Sequence, residues 1–428
     1  GYKVSGSDLA RSSVVSRLEE LGAKIYIGHR AENAQKADIV IYSSAVAKDN
    51  SELKAAKDQK IPTIKRAEML AELMRLKFGI AVAGSHGKTT TTSFLATVLT
   101  KLNFKPTYIV GGVVKNLGSN AGLGEGDYLV AEADESDGSF LYLNPIISII
   151  TNIDNDHLDY YQSEDALHAA FIDFANKVPF YGHLILNAHD SHLAANVGKL
   201  KRPFVTFGIK GKPLAIKDLD YAAEDLKKEG EFLSFTLAHK KEKTAFKIRM
   251  HGEHNALNAM GAIIAAHKLG ASLKDVADVL VEFEGVSRRL ETLRDQDNVL
   301  VIDDYGHHPT EIKATLDAIE ERYGDWEINV VFEPHRYSRT QTFWTEFVAT
   351  LTRKFKVYIL PIYSAGEKPA PYIDSEIMVK NINESGGNAF HIQDVKALEN
   401  EIIKPGQSRK LFLTLGAGSI GRQIRELL

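Results

Sequence analysis

The sequence of 428 residues contains no cysteine. This absence excludes disulfide bonds, thiolate ligands for a metal ion and a cysteine nucleophile. Neither sign of charge predominates, because 52 lysine and arginine residues stand against 56 aspartate and glutamate residues and leave a net charge of -4. The chain therefore lacks the strongly basic field that recruits nucleic acid.

Long hydrophobic runs are also missing. Apolar stretches such as residues 146–150 are far shorter than the roughly 20 apolar residues of a membrane-spanning helix. The first residues do not show the basic and then apolar pattern of a secretion signal. We therefore predict a soluble cytoplasmic protein that binds neither a membrane nor nucleic acid.

The length and the alternation of strand-like and helix-like patterns predict an α/β protein of several domains. We place the domains at residues 1–65, 66–286 and 287–428. In the first, a strand ends at Asp8, a helix covers residues 13–21 and a buried strand covers residues 37–43. A Rossmann unit places a glycine turn after its first strand and an acidic residue after its second. We therefore expect the first strand and its turn to be missing before Asp8.

The second and third segments differ in how their strands follow one another. After residue 210, the stretches 232–237 and 245–249 resemble antiparallel strands. In the third segment strands again alternate with helices, which are predicted at Pro309–Tyr323 and 339–354. Residues 416–421 match G-x-G-x-x-G after a strand, but the few residues that follow leave no room for the second strand of a dinucleotide site. A tight turn from strand to helix is the better interpretation.

The stretch 78–92 (FGIAVAGSHGKTTTT) combines an apolar strand, a glycine turn, a Lys-Thr pair and the start of a helix. Such a turn directs backbone N–H groups and a helix N-terminus at phosphate. Lys88 can then reach the outer phosphates of a nucleotide, and the Thr89 hydroxyl can contact magnesium. The spacing between the glycines is shorter than in the common P-loop, so an ordinary turn with a solvated lysine stays open. The residues predicted to bind phosphate are Gly84, Ser85, His86, Gly87, Lys88, Thr89 and Thr90.

Carboxylates follow two further apolar strands. Glu132 ends one of them and is followed by Asp134, Glu135 and Ser136. An acidic residue at a strand end beside a phosphate loop is a typical magnesium ligand. His157 lies among aspartates after the next strand, and because strand ends of one sheet converge, it can be a second metal or phosphate ligand. A solvated loop and an ordinary histidine are the alternatives.

Two asparagines open a later helix. Asn255 and Asn258 lie one helical turn apart and therefore on the same face. Two carboxamides in this arrangement can read a purine edge or shape a loop. Helix capping is an alternative that explains Asn255 but not Asn258.

Two polar clusters in the third segment, residues 303–309 and 333–339, each follow a strand. Both therefore lie at the carboxyl ends of strands in one sheet, where ligands bind in open α/β proteins. Arg336 and Arg339 can clamp a carboxylate there through paired hydrogen bonds. Arg289, at the junction with the second segment, offers a positive charge to a nucleotide or a phosphate.

Together these motifs resemble the Mur ligases, the ATP-dependent enzymes that build the stem peptide of peptidoglycan. In the order of the family they read GSHGKTTTT, EADESDGSFL, TNIDNDHLDYY, HGEHNALNA, SRRLE, DDYGHHPTE and EPHRYSRT. The resemblance implies a Rossmann-like N-terminal domain without its first strand and a central P-loop ATPase-like α/β domain with antiparallel strands. It also implies a C-terminal Rossmann-like α/β domain.

Within this family, DESDGSF and YGHHPTE look most like an enzyme that joins L-alanine to the lactyl carboxylate of UDP-N-acetylmuramate. The reaction would pass through an acyl phosphate. A recycling ligase that attaches a preformed tripeptide to the same sugar is the alternative. The implied cofactors are ATP and Mg²⁺, and we expect a monomer or a weak homodimer.

The resemblance also implies individual roles. Lys88, Glu132, His157, Arg289 and Asp304 would be catalytic, with magnesium held by Thr89, Glu132 and His157. The nucleotide would further contact Asn255, Asn258 and Arg289. L-Alanine would lie at Tyr305, His307, His335, Arg336 and Arg339. The muramoyl group would border His86, Asp134, Glu135 and Ser136, and UDP would lie at Asp8, Ser43 and Ser44.

Other classes of protein account for less of the sequence. A P-loop kinase or GTPase shares the Lys-Thr pair but does not need an arginine clamp for a carboxylate. A nicotinamide dehydrogenase would rely on the C-terminal glycines, and a non-catalytic UDP-sugar sensor would require the shortened N-terminal domain to be real in the cell. Because the clamp and the phosphate loop lie in different domains, we predict that the domains close when ligands bind.

Overall fold

A computed structural model describes residues 2–43, 46–404 and 408–428. Ser44, one of the predicted UDP-binding residues, lies outside the described residues. The helices are α1 (Ser13–Glu20), α2 (Ser51–Asp58), α3 (Arg66–Arg75), α4 (Lys88–Lys101), α5 (Leu158–Tyr161), α6 (Glu164–Ala175), α7 (Ser191–Asn196), α8 (Glu253–Lys268), α9 (Leu273–Leu280), α10 (Pro309–Tyr323), α11 (Tyr337–Thr342), α12 (Trp344–Leu351), α13 (Ser375–Glu384), α14 (Glu399–Ile403) and α15 (Ile420–Leu427).

The strands fall into separate sheets that follow one another along the chain. They are β1 (Ser5–Asp8), β2 (Lys24–Ile27), β3 (Val40–Tyr42), β4 (Thr63–Lys65), β5 (Phe78–Ala83), β6 (Thr107–Val114), β7 (Ser119–Gly122), β8 (Tyr128–Glu132), β9 (Ile147–Ile150), β10 (His183–Asn187), β11 (Phe204–Ile209), β12 (Tyr221–Glu229), β13 (Phe232–His239), β14 (Glu242–Ile248), β15 (Glu291–Gln296), β16 (Val299–Asp304), β17 (Glu327–Phe332), β18 (Lys356–Ile359), β19 (Ala389–His391) and β20 (Lys410–Leu415).

The N-terminal segment holds two small parallel sheets, β1-β2 and β3-β4. The prediction of a buried strand at residues 37–43 is wrong in two respects. The strand shrinks to β3, and Ile39 and Ile41 are 41% and 45% exposed. The physical reason is that α3 packs beside β3 and β4, while alternation along the strand turns these two isoleucines to the uncovered face.

The central segment is built on a ten-stranded sheet with the order β14-β13-β12-β11-β10-β9-β5-β8-β6-β7. Along this order, every pair of neighbouring strands between β12 and β6 is parallel. Strands β12, β13 and β14 instead form antiparallel hairpins, as predicted for the stretch after residue 210. Helices α4 and α8 cover one face of the sheet, and α3 and α6 cover the other. Because both faces are covered, β5 is an unbroken apolar run after Phe78, as buried parallel strands are.

The C-terminal segment has a six-stranded sheet with the order β15-β16-β20-β17-β18-β19. All its neighbours pair in parallel except β15 with β16. Buried apolar clusters lie on both faces, with α10, α12 and α13 on one and α15 on the other. This second open α/β sheet agrees with the prediction, although the antiparallel edge strand β15 was not foreseen.

The helix predicted at residues 339–354 is wrong as a continuous element. It is divided into α11 and α12 at Phe343, whose backbone (φ -107°, ψ 25°) is not helical. The Phe343 ring packs edge-on against His308, with 4.4 Å between the ring centroids. A tertiary contact at this point therefore accompanies the break that helix periodicity alone did not reveal.

The C-terminal glycine-rich turn joins β20 to α15, as predicted. The Glu333 carboxylate accepts hydrogen bonds from the Ser419 hydroxyl (2.6 Å) and the Ile420 N–H (3.0 Å). A carboxylate at the start of α15 occupies the position where a phosphate would lie in a dinucleotide site. Within residues 2–43, 46–404 and 408–428, no helix is both long and apolar enough to cross a membrane.

Candidate active site

The turn between β5 and α4 has the geometry of a phosphate cradle. Gly84 (φ 137°) and Gly87 (φ 82°) adopt backbone conformations that favour glycine, and a side chain on Gly84 would collide with Thr151. The His86 N–H donates to Asn152 Oδ1 (2.9 Å), and the Thr151 hydroxyl donates to the His86 carbonyl (2.6 Å). The neighbouring strand end therefore fixes the turn directly before the N-terminus of α4.

Lys88 lies at this turn and is held by a carboxylate of the same domain. Its Nζ donates to Glu135 Oε1 (2.8 Å) and to the carbonyls of Gly84 (2.6 Å) and Ser85 (3.1 Å). Burial lowers the pKa of Lys88, but the charges of Glu135 and Glu132 outweigh burial and raise that pKa. The ammonium group therefore stays charged beside the predicted phosphate site.

Thr89 and Glu132 form the predicted magnesium pair. The Thr89 hydroxyl lies 2.9 Å and 3.0 Å from the two oxygens of Glu132, and the Gly111 N–H donates to Glu132 Oε2 (2.7 Å). Hydroxyl and carboxylate oxygens are the hard ligands that Mg²⁺ prefers. The donor set at the phosphate turn thus fits a magnesium ion.

His157 joins the same cluster from the loop after β9. Its Nε2 lies 3.6 Å from Glu135 Oε1 and 3.5 Å from Asp156 Oδ2. Burial lowers the pKa of His157, so a ring nitrogen is available for a metal ion. Glu135 is 1% exposed, and its Oε2 has no hydrogen-bond partner in the described part of the chain. Lys88 and His157 thus share the buried Glu135 carboxylate, while Glu132 contacts Thr89, the residue after Lys88.

A cavity of about 410 Å³ opens beside the turn, between the central and C-terminal domains. Its walls come from both domains and include the polar groups predicted to contact a nucleotide. The predicted residues that line it are His86, Gly87, Thr90, Asn255, Asn258, Arg289 and Asp304.

Asn255 and Asn258 project from the first turns of α8 into this cavity wall. Asn258 Nδ2 donates to Asn255 Oδ1 (3.2 Å), and Asn255 Nδ2 donates to the His251 carbonyl (2.7 Å). Their amides are therefore oriented by each other and by the backbone. This pairing explains why Asn258, which a helix cap does not account for, accompanies Asn255.

Arg289 enters the cavity from the C-terminal side. Its guanidinium group lies 3.7 Å from Glu311 Oε1 and 5.3 Å from the centroid of the Tyr305 ring. Asp304 accepts hydrogen bonds from the N–H groups of Leu290 and Gly306, both at 2.8 Å. Because one of these bonds holds the residue after Arg289, Asp304 orients the arginine through the backbone.

The residues predicted for the amino acid surround the carboxyl ends of β16 and β17. Arg339 lies 3.5 Å from Asp156 of the central domain and 3.4 Å from His335 Nδ1. His335 stacks on Tyr363, with 5.5 Å between the ring centroids and 9° between the planes. His307 Nδ1 lies 3.1 Å from the Tyr305 carbonyl. Arg339, His335 and His307 form one polar wall that faces the phosphate turn across the cleft. We call these three residues the amino-acid wall.

Arg336 differs from Arg339 in its surroundings. Its N–H donates to the Tyr363 carbonyl (2.8 Å) and its backbone has a φ of 69°, while the residue is exposed. Arg339 is largely buried, with a side chain that is 10% exposed. The two arginines of the predicted clamp therefore differ in burial: Arg339 is enclosed by the cleft, whereas Arg336 is open to solvent.

The remaining predicted residues are more exposed. The Ser136 N–H donates to the exposed Asp134 carboxylate (3.0 Å). Asp8 is the exposed last residue of β1, and its carboxylate accepts a long bond from the Ala10 N–H (3.4 Å). Ser43 directly follows β3. Asp8 and Ser43 thus lie at strand ends in two different small sheets.

The structure also shows site residues that the sequence did not reveal. Glu311 contacts His307, His86 and Arg289, and Asp154 accepts a hydrogen bond from the Thr310 hydroxyl (2.8 Å). A sequence signal did exist for Glu311, because it lies four residues after His307 at the start of a predicted helix. Asp154 lies within the acidic motif that contains His157, but its contact with the C-terminal domain depends on tertiary structure.

Family models match three consecutive parts of the chain. The model "Mur ligase family, catalytic domain" matches residues 1–78, "Mur ligase middle domain" matches 82–266, and "Mur ligase, glutamate ligase domain" matches 288–418.

Curated proteins of high similarity span nearly the whole chain. The UDP-N-acetylmuramate–L-alanine ligase of Syntrophotalea carbinolica is 45% identical over 432 residues, which cover 100% of this chain and 92% of that protein. The protein of the same name from Solidesulfovibrio magneticus is 44% identical over 428 residues, which cover 98% of this chain and 91% of that protein.

Solved structures show the same architecture. The UDP-N-acetylmuramate-alanine ligase MurC from Thermotoga maritima matches with a TM-score of 0.82 at 28% identity and covers 99% of this chain and 92% of its own. A murein peptide ligase from Psychrobacter arcticus matches with a TM-score of 0.71 at 23% identity, with the same coverage. At that identity the second likeness concerns the fold alone.

Proposed function

The chain belongs to the Mur ligase family, and on this basis we propose that it is an ATP-dependent ligase that joins L-alanine to UDP-N-acetylmuramate. Its similarity to curated ligases of this specificity, at 45% identity over the full chain, favours L-alanine over a preformed tripeptide. The products would be UDP-N-acetylmuramoyl-L-alanine, ADP and phosphate.

One structural observation carries this proposal. A single cleft has a phosphate cradle with Lys88 on one wall and a polar wall with the cationic Arg339 and the His335 ring on the other. Arg339 reaches to within 3.5 Å of Asp156 on the phosphate side, so a carboxylate held by this arginine would lie close to a bound triphosphate. A kinase or GTPase does not require the second wall.

The first chemical step activates a carboxylate, which is a poor acyl donor. An oxygen of the lactyl carboxylate forms a bond to the γ-phosphorus of ATP, the bond from that phosphorus to the bridging oxygen breaks, and ADP leaves. The two reactants are both anionic, so Lys88 and Arg289 would offset their repulsion. When bound, magnesium held by Thr89 and Glu132, with His157 at a second ion, supplies further neutralisation of phosphate charge.

The second step forms the amide. The neutral amine of L-alanine attacks the carbonyl carbon of the acyl phosphate, and the carbon–oxygen bond to phosphate breaks. Phosphate departs with the electron pair and takes up the proton that the amine nitrogen loses. Arg336, Arg339 and His307 would hold the alanine carboxylate so that the amine faces the acyl carbon. Tyr305 and His335 would complete the wall behind the amino acid.

The other substrate groups are assigned from the resemblance of the motifs to the Mur ligases. We propose that His86 and residues 134–136 border the muramoyl group and that Asp8 and Ser43 lie at the UDP moiety. Asn255 and Asn258 would contact adenine from the wall of the cavity. We keep the domain boundaries at residues 65/66 and 286/287, a cytoplasmic location and a monomer or weak homodimer as parts of the same proposal.

A coupled assay for ADP release tests the assignment directly. ADP should appear only when ATP, Mg²⁺, UDP-N-acetylmuramate and L-alanine are all present. Release without L-alanine would indicate a simple nucleotidase. If the tripeptide L-alanyl-γ-D-glutamyl-diaminopimelate supported turnover and L-alanine did not, the chain would be a recycling ligase.

A further inference from the structure

The His86 ring is held between two carboxylates that belong to different domains. Its Nε2 lies 2.8 Å from Asp154 Oδ2 in the central domain, and its Nδ1 lies 3.5 Å from Glu311 Oε1 in the C-terminal domain. We call Asp154, His86 and Glu311 the His86 bridge. Because the backbone N–H of His86 is part of the phosphate cradle, this bridge connects the cradle to the opposite wall of the cleft.

Glu311 contacts three groups that the proposed reaction uses. Besides His86, its carboxylate lies 3.7 Å from Arg289 on the nucleotide cavity and 3.3 Å from His307 Nδ1 at the amino-acid wall. It also accepts a hydrogen bond from the His307 N–H (3.2 Å). The side chain is 12% exposed, so these contacts form in a largely dry environment, where electrostatic interactions are strong.

The local helix favours this position for a negative charge. Glu311 lies in the first turn of α10, where the helix dipole stabilises an anion. Burial raises the pKa of Glu311, but its contacts with His307, His86 and Arg289 outweigh burial and hold the pKa well below its usual range. Glu311 is therefore ionised at neutral pH.

The charge of His86 completes the bridge. Burial lowers the pKa of His86, but the hydrogen bonds with Asp154 and Glu311 outweigh burial and raise the pKa to about 9. The Thr310 hydroxyl donates to Asp154 Oδ2 (2.8 Å), which adds a second link between the domains next to the first. A charged imidazole between two carboxylates thus lies at the junction.

From this geometry we propose that Glu311 is a positioning residue that couples the phosphate cradle to the amino-acid wall through His86, Arg289 and His307. Through this coupling, nucleotide binding to the central domain would favour the closed arrangement of the two domains. In that arrangement the C-terminal domain can bind the amino acid. This inference rests on the proposed function and adds to it a residue that need not touch a substrate. A neutral side chain at position 311 would remove the negative charge that His86, Arg289 and His307 all contact.

The test compares Glu311→Gln and Glu311→Asp with Glu320→Gln. Glu320 lies on the same helix α10, pairs with Arg353 and is 52% exposed, so it provides a matched control for the loss of one glutamate charge. Thermal unfolding of each variant establishes that it folds. Four quantities are then measured: the Kd of a non-hydrolysable ATP analogue, the KM of ATP, the KM of L-alanine, and kcat.

We expect Glu311→Gln to raise the Kd of the ATP analogue and the KM of L-alanine together, each by roughly 5-fold or more, as expected for a coupling between two sites. Glu311→Asp, which keeps the charge, should recover part of both losses, and Glu320→Gln should behave as the wild type. A Gln variant with unchanged analogue Kd and unchanged KM of L-alanine would overturn the proposal. A loss of kcat alone would also overturn it.

A double-mutant cycle separates coupling from a purely local effect. Glu311→Gln, His86→Gln and the double variant are compared by the Kd of the ATP analogue. If Glu311 acts through His86, the double variant should bind the analogue no more weakly than the worse single variant. Additive losses would contradict the route through His86. Because analogue binding does not require ligase turnover, these results stand even if the wild type fails to use L-alanine, an outcome that would disprove the proposed function instead.

Discussion

The two walls of the cleft are held together in different ways. On the phosphate wall, Lys88 pairs with Glu135 and Thr89 pairs with Glu132, and all four residues belong to the central domain. On the amino-acid wall, the ionic partner of Arg339 comes from the opposite domain. The comparison suggests that the phosphate wall is complete within one domain, whereas the amino-acid wall is completed only when the two domains meet.

This difference has a consequence for the order of events in the proposed reaction. A wall organised within its own domain can bind a ligand before the domains close, because its charges are already positioned. When the domains separate, the amino-acid wall loses the contact of Arg339 with Asp156, and Glu311 loses its contact with His86. We therefore predict that closure follows nucleotide binding and prepares the site for L-alanine.

The largest expected effect comes from the phosphate wall. Lys88→Met should reduce ADP release by roughly 10²- to 10³-fold, because the charge that would meet the transferred phosphoryl group is lost. The variant also leaves Glu135 buried without its cation, which destabilises the fold. The double variant Lys88→Met with Glu135→Gln should therefore regain thermal stability but not activity.

The exposed Lys101, which pairs with Glu282, offers a control for the loss of a lysine on the same helix. Lys101→Met should leave the rate of ADP release unchanged. If Lys88→Met retained alanine-dependent turnover, Lys88 would not be required for phosphoryl transfer, which would contradict the role given to the phosphate wall.

A smaller effect is expected on the amino-acid wall. Arg339→Ala should raise the KM of L-alanine by roughly 10- to 100-fold, because a hydrogen bond to a charged group contributes about 1.5–3 kcal/mol. The Kd of an ATP analogue should change much less, since the phosphate wall keeps its own contacts. Steady-state kinetics and calorimetry check the two quantities, and an equal loss in both would remove the distinction between the walls.

The pH dependence of the interdomain contact follows from His86. Its pKa rises from 6.5 to about 9 in the folded protein, so its stabilising contribution is fully present below pH 6.5 and is lost as the pH rises through about 9. Asp154, Glu311 and His308 face the ring; the pKa values of both carboxylates are lowered, and burial lowers that of His308. Among these groups only His86 therefore changes charge near pH 9.

The wild type should thus lose thermal stability between pH 7 and 10 more steeply than His86→Gln. Differential scanning fluorimetry across this range, with both proteins in the same buffers, measures the difference. Parallel curves for the two proteins would show that the charge on His86 does not contribute to the contact between the domains.

The smallest effect is expected for a contact that joins the same two domains outside the lining of the cavity. Lys228, at the tip of the β12-β13 hairpin, pairs with Glu321 at 3.0 Å, and both side chains are substantially exposed. Lys228→Ala should cost less than about 1 kcal/mol, as exposed ion pairs do, and should leave both KM values unchanged. Changes in KM as large as those expected for Arg339→Ala would show that contacts between the domains affect substrate binding regardless of whether they lie in the cleft.

Features set by local pattern were predicted well from the sequence. The strand, glycine turn and helix around Lys88 follow from apolar run length and glycine placement, and the antiparallel hairpins follow from alternation. Glu132 was predicted to end an apolar strand beside the phosphate turn, and the structure places it at the end of β8 with Thr89 and the Gly111 N–H as partners.

Features set by the packing of distant segments were not predicted. Ile41 belongs to an apolar run that resembles a buried strand, but it lies on an uncovered face of its sheet. Phe343 interrupts a helix although the helical periodicity of the sequence continues past it. The pairing of His86 with Glu311 depends on how two domains face each other, and no spacing within one segment encodes that orientation. Glu311 therefore looked like an ordinary helix-start carboxylate.

The most direct test of the comparison is calorimetric titration of L-alanine into the wild-type protein, first alone and then with a non-hydrolysable ATP analogue, Mg²⁺ and UDP-N-acetylmuramate. The difference between the walls predicts that the analogue binds the free protein, whereas L-alanine binds at least roughly 10-fold more tightly once the other ligands are present. Equal affinity of L-alanine for the free and the loaded protein would contradict it.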